Sequence, residues 1–341
     1  MSNTQLDASM SFGLEGTYGT PVTPTRSYEF TDETFDWQPS FVQGKGLRVG
    51  TRVDRSGRRA LGKQGAGGDL TIEAASKGMG FLWNAALGTS VSTLVSTGIY
   101  QQIHTPIAND YLPSYTIQKG VPLLGGSITA QTYAGCQAKS FELSVSTGGI
   151  LTLKTAFMAK GVDTSTAYTA ATYAAAPVQI FTFVGGAITI GGTVTLPTTT
   201  ALATGGTSVG DIRDWSLSWD NKLDDNGYTF GNSGKRGRPG ALGLASGTGK
   251  VTAEFDSTIL RDAYFNQTDL AMVMTFQAQN VISASVYPTI QVVIPEIRLE
   301  GEMPKANKGD VITQSIGYTV LDAQVAASPI YIVQVTPDSA V

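Results

Sequence analysis

Residues 60–74 read ALGKQGAGGDLTIEA, and residues 241–255 read ALGLASGTGKVTAEF. Ala60, Leu61, Gly62, Gly68, Thr71 and Glu73 recur as Ala241, Leu242, Gly243, Gly249, Thr252 and Glu254, all 181 residues further on. Arg55 and Arg236 keep that spacing five residues upstream. Each copy is a glycine-rich turn running into a strand that alternates, with Leu70 and Ile72 inward and Asp69, Thr71 and Glu73 outward in the first. The surroundings repeat too. Upstream stand FTDETFDW (30–37), with Phe35 and Trp37 on one face, and RDWSLSWD (213–220), with Trp215, Leu217 and Trp219 on one face. Downstream, Met79, Leu82, Trp83, Ala86 and Leu87 form one helical stripe that Gly88 ends. A second helix is expected from Ser257, containing Ile259, Leu260 and Ala263. Each helix leads into strands that close in a long hairpin; in the first half this is FELSVSTGGILTLKTAF, turning at Gly148 and Gly149. Glycine-rich stretches match by chance easily, whereas a matched order of elements does not. The chain reads as a duplication.

The predicted fold is therefore mainly β: two tandem antiparallel β-sandwich or barrel units, each flanked by one short α-helix. The expected organisation is an extended arm over 1–29, a first unit over 30–161, a connection over 162–208 and a second unit over 209–341. Gly and Pro punctuate the arm (GTYGTPVTPT), and Ala/Thr-rich sequence fills much of the connection, around a short independent hairpin at 179–195.

Composition bounds the function. Forty glycines in 341 residues, with only 15% charged residues, describe a β-rich chain whose neutral surface suits a covering partner. A net charge of −4 supplies no long-range pull toward nucleic acid or anionic lipid. A lone Cys136 excludes an internal disulfide. Neither a signal peptide nor a membrane-spanning apolar run is read, so synthesis in the cytoplasm is expected.

No catalytic constellation emerges. GLASGTGK places five residues between Gly243 and Gly249, where a phosphate loop needs four, and Val251 follows Lys250 where Ser or Thr belongs. His104 reads as a surface loop residue beside Pro106, and Cys136 as a buried inert thiol. Asp224 with Asp225 reads as a solvated turn, and Glu296, Glu300 and Glu302 as one polar strand face. No cofactor or metal is expected, and the chain is not read as an enzyme. The basic loop says more. Lys45, Arg48, Arg52, Arg55, Arg58, Arg59 and Lys63 are opposed only by Asp54, and no aromatic ring lies between Phe41 and Phe81 to stack on bases. A contact loop reaching a neighbouring copy is the favoured reading, with Lys235, Arg236 and Arg238 as its repeat.

GTYGTPVTP, GRRALGKQGAGGDLTIEAASKGMGFLWNAALG, KSFELSVSTGGILTLKTAF and IPEIRLEGEM together resemble the major tail tube proteins of long-tailed bacteriophages with non-contractile tails, over nearly the whole chain. The resemblance implies a virion tail protein that stacks in rings as a hollow tube, through which DNA passes on ejection. It implies tape measure and tail terminator partners, no membrane, and a loop, here 43–68 with 226–249 as its copy, that touches the adjacent ring. Single-unit proteins of this type close six-fold rings; a doubled chain is expected to close a trimer with pseudo-six-fold symmetry, a ring of six chains being the fallback. A lumen must not hold DNA, so neutral and acidic strand faces are candidates: Glu142 and Ser144; Asp214, Ser216, Ser218 and Asp220; Glu296 and Glu300. The alternative function is a β-sandwich virion module binding a receptor or glycan, for which Tyr168, Tyr173 and Tyr228 are the aromatic candidates.

Overall fold

A computed structural model describes residues 5–341, apart from Thr51, Gly210, Asp256, Ser257, Glu302, 306–308, Asp310 and Ala340. Ser257 and Glu302, used above, thus lie outside the described residues. In the first half β1 (Ser9–Leu14), β2 (Arg26–Tyr28), β3 (Asp32–Glu33), β4 (Asp36–Gln43) and β5 (Arg59–Glu73) precede α1 (Gly80–Leu87). There follow β6 (Gly88–Ser96), β7 (Ile99–Pro106), β8 (Tyr115–Pro122), β9 (Ile128–Val145), β10 (Thr152–Ala159) and β11 (Gly161–Asp163). Three short strands, β12 (Gly186–Ile190), β13 (Val194–Thr195) and β14 (Thr204–Gly205), occupy the connection. The second half runs β15 (Ile212–Asp220), β16 (Ser246–Glu254), α2 (Ile259–Asn266), β17 (Leu270–Gln277), β18 (Thr289–Gly301), β19 (Thr313–Val320) and β20 (Tyr331–Thr336).

The repeat seen in the sequence reappears as repeated strand register. Across β5–β10, Thr71 faces Lys154 and Gly68 faces Phe157. At the corresponding places of β16–β19, Thr252 faces Ser315 and Gly249 faces Tyr318. The next pair repeats as well: Phe157 faces Ala138 on β9, and Tyr318 faces Leu299 on β18. The matched glycines have a steric cause. A Cβ on Gly68 would lie 2.5 Å from the Phe35 backbone, and one on Gly249 would lie 2.2 Å from the Tyr318 ring and 2.3 Å from the Ser216 carbonyl oxygen. The Tyr318 hydroxyl crosses that glycine to donate to Ser216 O at 2.8 Å. Gly249→Ala is therefore expected to destabilise the fold by about 1–3 kcal/mol through overpacking, read as a lowered urea midpoint. An unchanged midpoint would contradict this account of the repeat.

β9 and β18 each serve two neighbours in turn. The first part of β9 pairs with β8, which carries β1 and β2; its second part lies between β10 and β15. β18 pairs with β17 and β20 first, then with β19. The β9–β15 seam joins the halves, setting Trp219 opposite Phe141, Leu217 opposite Leu143 and Trp215 opposite Val145. One apolar core runs beneath the seam, with Trp83 of α1 edge-on to Phe141 and Trp215 against Phe276. Gly88 ends α1 in the left-handed conformation, φ 88°, as its place after Leu87 predicts.

Four expectations change. The N-terminal segment is not merely an arm: β1 is central to its sheet, and Met10 and Phe12 are wholly buried. Its alternation is too short to stand out beside the Gly/Pro-rich residues that follow. The segment at 179–195 is no independent hairpin, because β12 pairs with β17 of the second half. The Ala/Thr-rich stretch lies along the first half: Thr172 exchanges hydrogen bonds with Ser27, Gln118 holds Ala167 and Thr169, and Lys77 reaches Ala175 O. His104 sits in β7, completely buried, since the C-terminal β20 pairs with β7 and covers it.

Candidate functional site

Two surfaces collect the residues singled out from the sequence. The first is the outward face of the sheet β5–β10–β9–β15–β16–β19–β18. Inward positions such as Leu143, Trp215, Leu217, Val251, Ile316 and Leu299 are buried, so alternation turns their neighbours to the other side. Register then lines up Glu142 with Ser218 and Ser144 with Ser216 across the seam. Asp214 and Asp220 lie on the same side of β15, and Glu296 and Glu300 alternate with buried Ile297 and Leu299 on β18. The face is polar but not purely acidic. Lys154, beside Glu142, pairs with Asp69 at 2.9 Å; Lys250 lies opposite Ser216; Arg298 pairs with Asp269 at 2.5 Å.

The second surface is the outer edge of β3–β4 with the loop that continues it. Among the described residues, β3 and β4 pair with β5 on one side only. Thr34 N–H turns inward to Asp69 O, which leaves Phe35 N–H and Trp37 N–H pointing away from the sheet. Local carboxylates hold both: Glu33 accepts from Phe35 N at 2.9 Å, and Asp36 accepts from Trp37 N at 2.7 Å. Lys119 donates to the Phe35 carbonyl and pairs with Glu33. Such local satisfaction protects an open edge from indiscriminate pairing. Trp37 is 39% exposed, whereas its repeat counterpart Trp219, under the β9–β15 seam, is 3% exposed.

The cations divide between the two copies of the loop. In the first copy, Lys45 pairs with Asp54 at 3.2 Å, Arg59 lies over the Phe41 ring, and Arg55 reaches Gly46 O at 3.5 Å. Arg48, Arg52 and Arg58 are exposed, among Leu47, Val49 and Val53, which are also exposed. In the second copy Lys235 and Arg236 meet their own chain's first half, while Arg238 pairs within the second half. Lys63 and Arg236 both face the Tyr228 ring at 5.0 Å. Arg236, nearly buried, donates to Ala159 O at 2.8 Å; Arg238 pairs with Asp224, and Lys235 lies along Gly161. Counting charges alone missed the aliphatic residues between the arginines. The sequence LRV at 47–49 carried that signal.

Burial pushes the Cys136 thiol well up from its ordinary range. Among the described residues, no three His, Cys, Asp or Glu side chains gather as metal ligands would. What remains prominent is a duplicated sheet with an open edge and a long exposed loop. The sequence matches the family described as phage tail tube protein over residues 5–320. The chain belongs to the phage tail tube protein family. No match was found among curated proteins. As a tail tube protein it is a structural component of the virion tail, in a family that assembles into a tube with other tail proteins. No helix among the described residues is long and apolar enough to cross a membrane.

Proposed function

We propose that this tail tube protein closes into rings of three chains with pseudo-six-fold symmetry, and that the rings stack into the hollow tube of a non-contractile tail. The observation that carries the reading is the β9–β15 seam. Within one chain, the first half's β9 receives the second half's β15 along 215–220. The repeat counterparts of these partners are the last two residues of β18, Glu300 and Gly301, with the segment that follows them, and the segment 33–38, which among the described residues has an open edge. Pairing these across copies reproduces the internal seam between chains. Three chains then supply six equivalent seams, three within chains and three between them. Head-to-tail contacts of this kind close when the rotation divides a circle.

In this arrangement the polar face of the continuous sheet, with Glu142, Ser144, Asp214, Ser216, Ser218, Asp220, Glu296 and Glu300, lines the channel. DNA passes along it during ejection, and the mixture of acids, hydroxyls and paired cations offers few unneutralised positive charges to phosphate. The first tube-type unit is 30–161 together with β1 and β2, the second is 209–341 together with β12, and the rest of 162–208 joins them. The protein is made in the bacterial host's cytoplasm and meets tape measure and terminator proteins in the tail. Helical reconstruction of purified tails by electron cryomicroscopy tests both parts. Three chains per ring, with Glu142 and Ser218 facing the channel, are expected. Six chains per ring, or these residues on the outer surface, would refute the corresponding part.

A further inference from the structure

The second half of the chain shows where such a loop lodges. Residues 221–245 fold back over the first half: Gln64 N–H donates to Gly234 O and Gln64 Nε2 to Ser233 O, both at 2.7 Å. Arg236 Nη1 donates to Ala159 O at 2.8 Å, and Gly240 N–H to Gln137 Oε1 at 2.7 Å. Leu223 completes the contact by packing with Leu112 and Met158.

The first loop has the same layout. Arg55 stands where Arg236 stands, Val53 at the place of Gly234, and Phe41 at the place of Leu223. Among the described residues, its own chain gives it no equivalent bed. Val53 is 81% exposed and Phe41 51%, against 8% for Leu223. The counterparts of the occupied bed lie on the second half: Ala245 for Gln64, Val320 for Ala159 and Phe265, 74% exposed, for Ala86, whose carbonyl accepts from Asn221 Nδ2 at 2.8 Å. Glu300 accepts from Thr319, the residue before Val320, at 2.6 Å, and Asp322 follows Val320 by two residues. Arg298, at the place of Gln137, is already neutralised by Asp269.

We infer that the first loop of one copy docks on the second half of the adjacent copy in the same ring, Val53 O accepting from Ala245 N–H and Arg55 donating to Val320 O. This rests on the ring reading above, and it departs from the expectation that the loop reaches the next ring. The reason is the internal precedent, in which the loop's seat belongs to the unit its own strand pairs with.

The test is a disulfide between Val53→Cys and Ala245→Cys, since a backbone hydrogen bond brings the counterpart residues to disulfide range. Cys136 is buried and does not compete. Tubes assembled in reductant are oxidised, dissolved and run without reductant. Docking within a ring gives linked species that stop at the number of chains in a closed ring, three on the reading above. Docking on the next ring gives a ladder extending past that number, which overturns the inference, as do tubes without cross-links. If the unmodified protein forms no tubes, the ring reading itself fails. Asp54→Cys with Asp322→Cys, at the places of Lys235 and Gly161, serves as a second pair should the first impair folding.

Discussion

Trp37→Lys is expected to abolish tube formation while leaving a folded monomer. Trp37 is 39% exposed in the single chain, and its counterpart Trp219 is 3% exposed beneath an internal seam. If the seam between copies matches the internal one, assembly removes most of that remaining surface from water. Covering the exposed part of a Trp side chain contributes about 2 kcal/mol per seam. That is roughly a thirty-fold change in the assembly constant at each seam. A lysine forfeits this term and places a charge at a strand edge, a device natural proteins use to stop edge pairing. Far-UV circular dichroism should match the parent, while sedimentation and negative stain should show unassembled protein. Trp37→Phe should retain assembly at raised concentration. A Trp37→Lys protein that builds tubes at the parent's concentration would remove the edge from the interface.

The second large effect is on acid stability. His104 is wholly buried; its Nδ1 lies 2.6 Å from Ser90 Oγ, and Nε2 finds no partner among the described residues. Ser90 accepts from the Asn84 amide and can donate its hydroxyl hydrogen to Nδ1, so the folded site favours the neutral ring. Burial lowers the His104 pKa from 6.5 to about 3. The sign follows directly. Above pH 6.5 neither state binds the proton and the full stability is present; as pH falls from 6.5 toward 3, only the unfolded chain takes it up, and stability is lost. The slope is about 1.4 kcal/mol per pH unit, or about 3 kcal/mol between pH 6.5 and 4. Urea unfolding across this range should show a shallower pH dependence for His104→Gln than for the parent, whatever the two stabilities at neutral pH. Parallel curves would sink the assignment.

How far the sequence could be read depended on whether the deciding interactions were local. Alternation in RDWSLSWD placed Trp215, Leu217 and Trp219 inward because strand geometry puts successive side chains on opposite faces. The stripe ending at Gly88 located α1 because helix periodicity and a left-handed cap are properties of neighbouring residues. The matched glycines disclosed the repeat, since close backbone approach leaves the same mark on both copies.

His104 and the exposure of Trp37 were beyond that reach. His104 is buried only because β20, more than two hundred residues later, pairs with β7. Nothing adjacent to QQIHTP announces that partner. Trp37 and Trp219 hold equivalent places in equivalent strands, yet one is open and the other covered. Likewise, Arg55 and Arg236 share a sequence position, but only Arg236 finds a carbonyl of the other half. The amino-acid order by itself established a doubled, mainly β chain with two short helices and a cationic loop, because periodicity, glycine sterics and capping act over a few residues. Only the tertiary structure decided which edge stays open and which loop is already seated, because both depend on where distant strands come to lie.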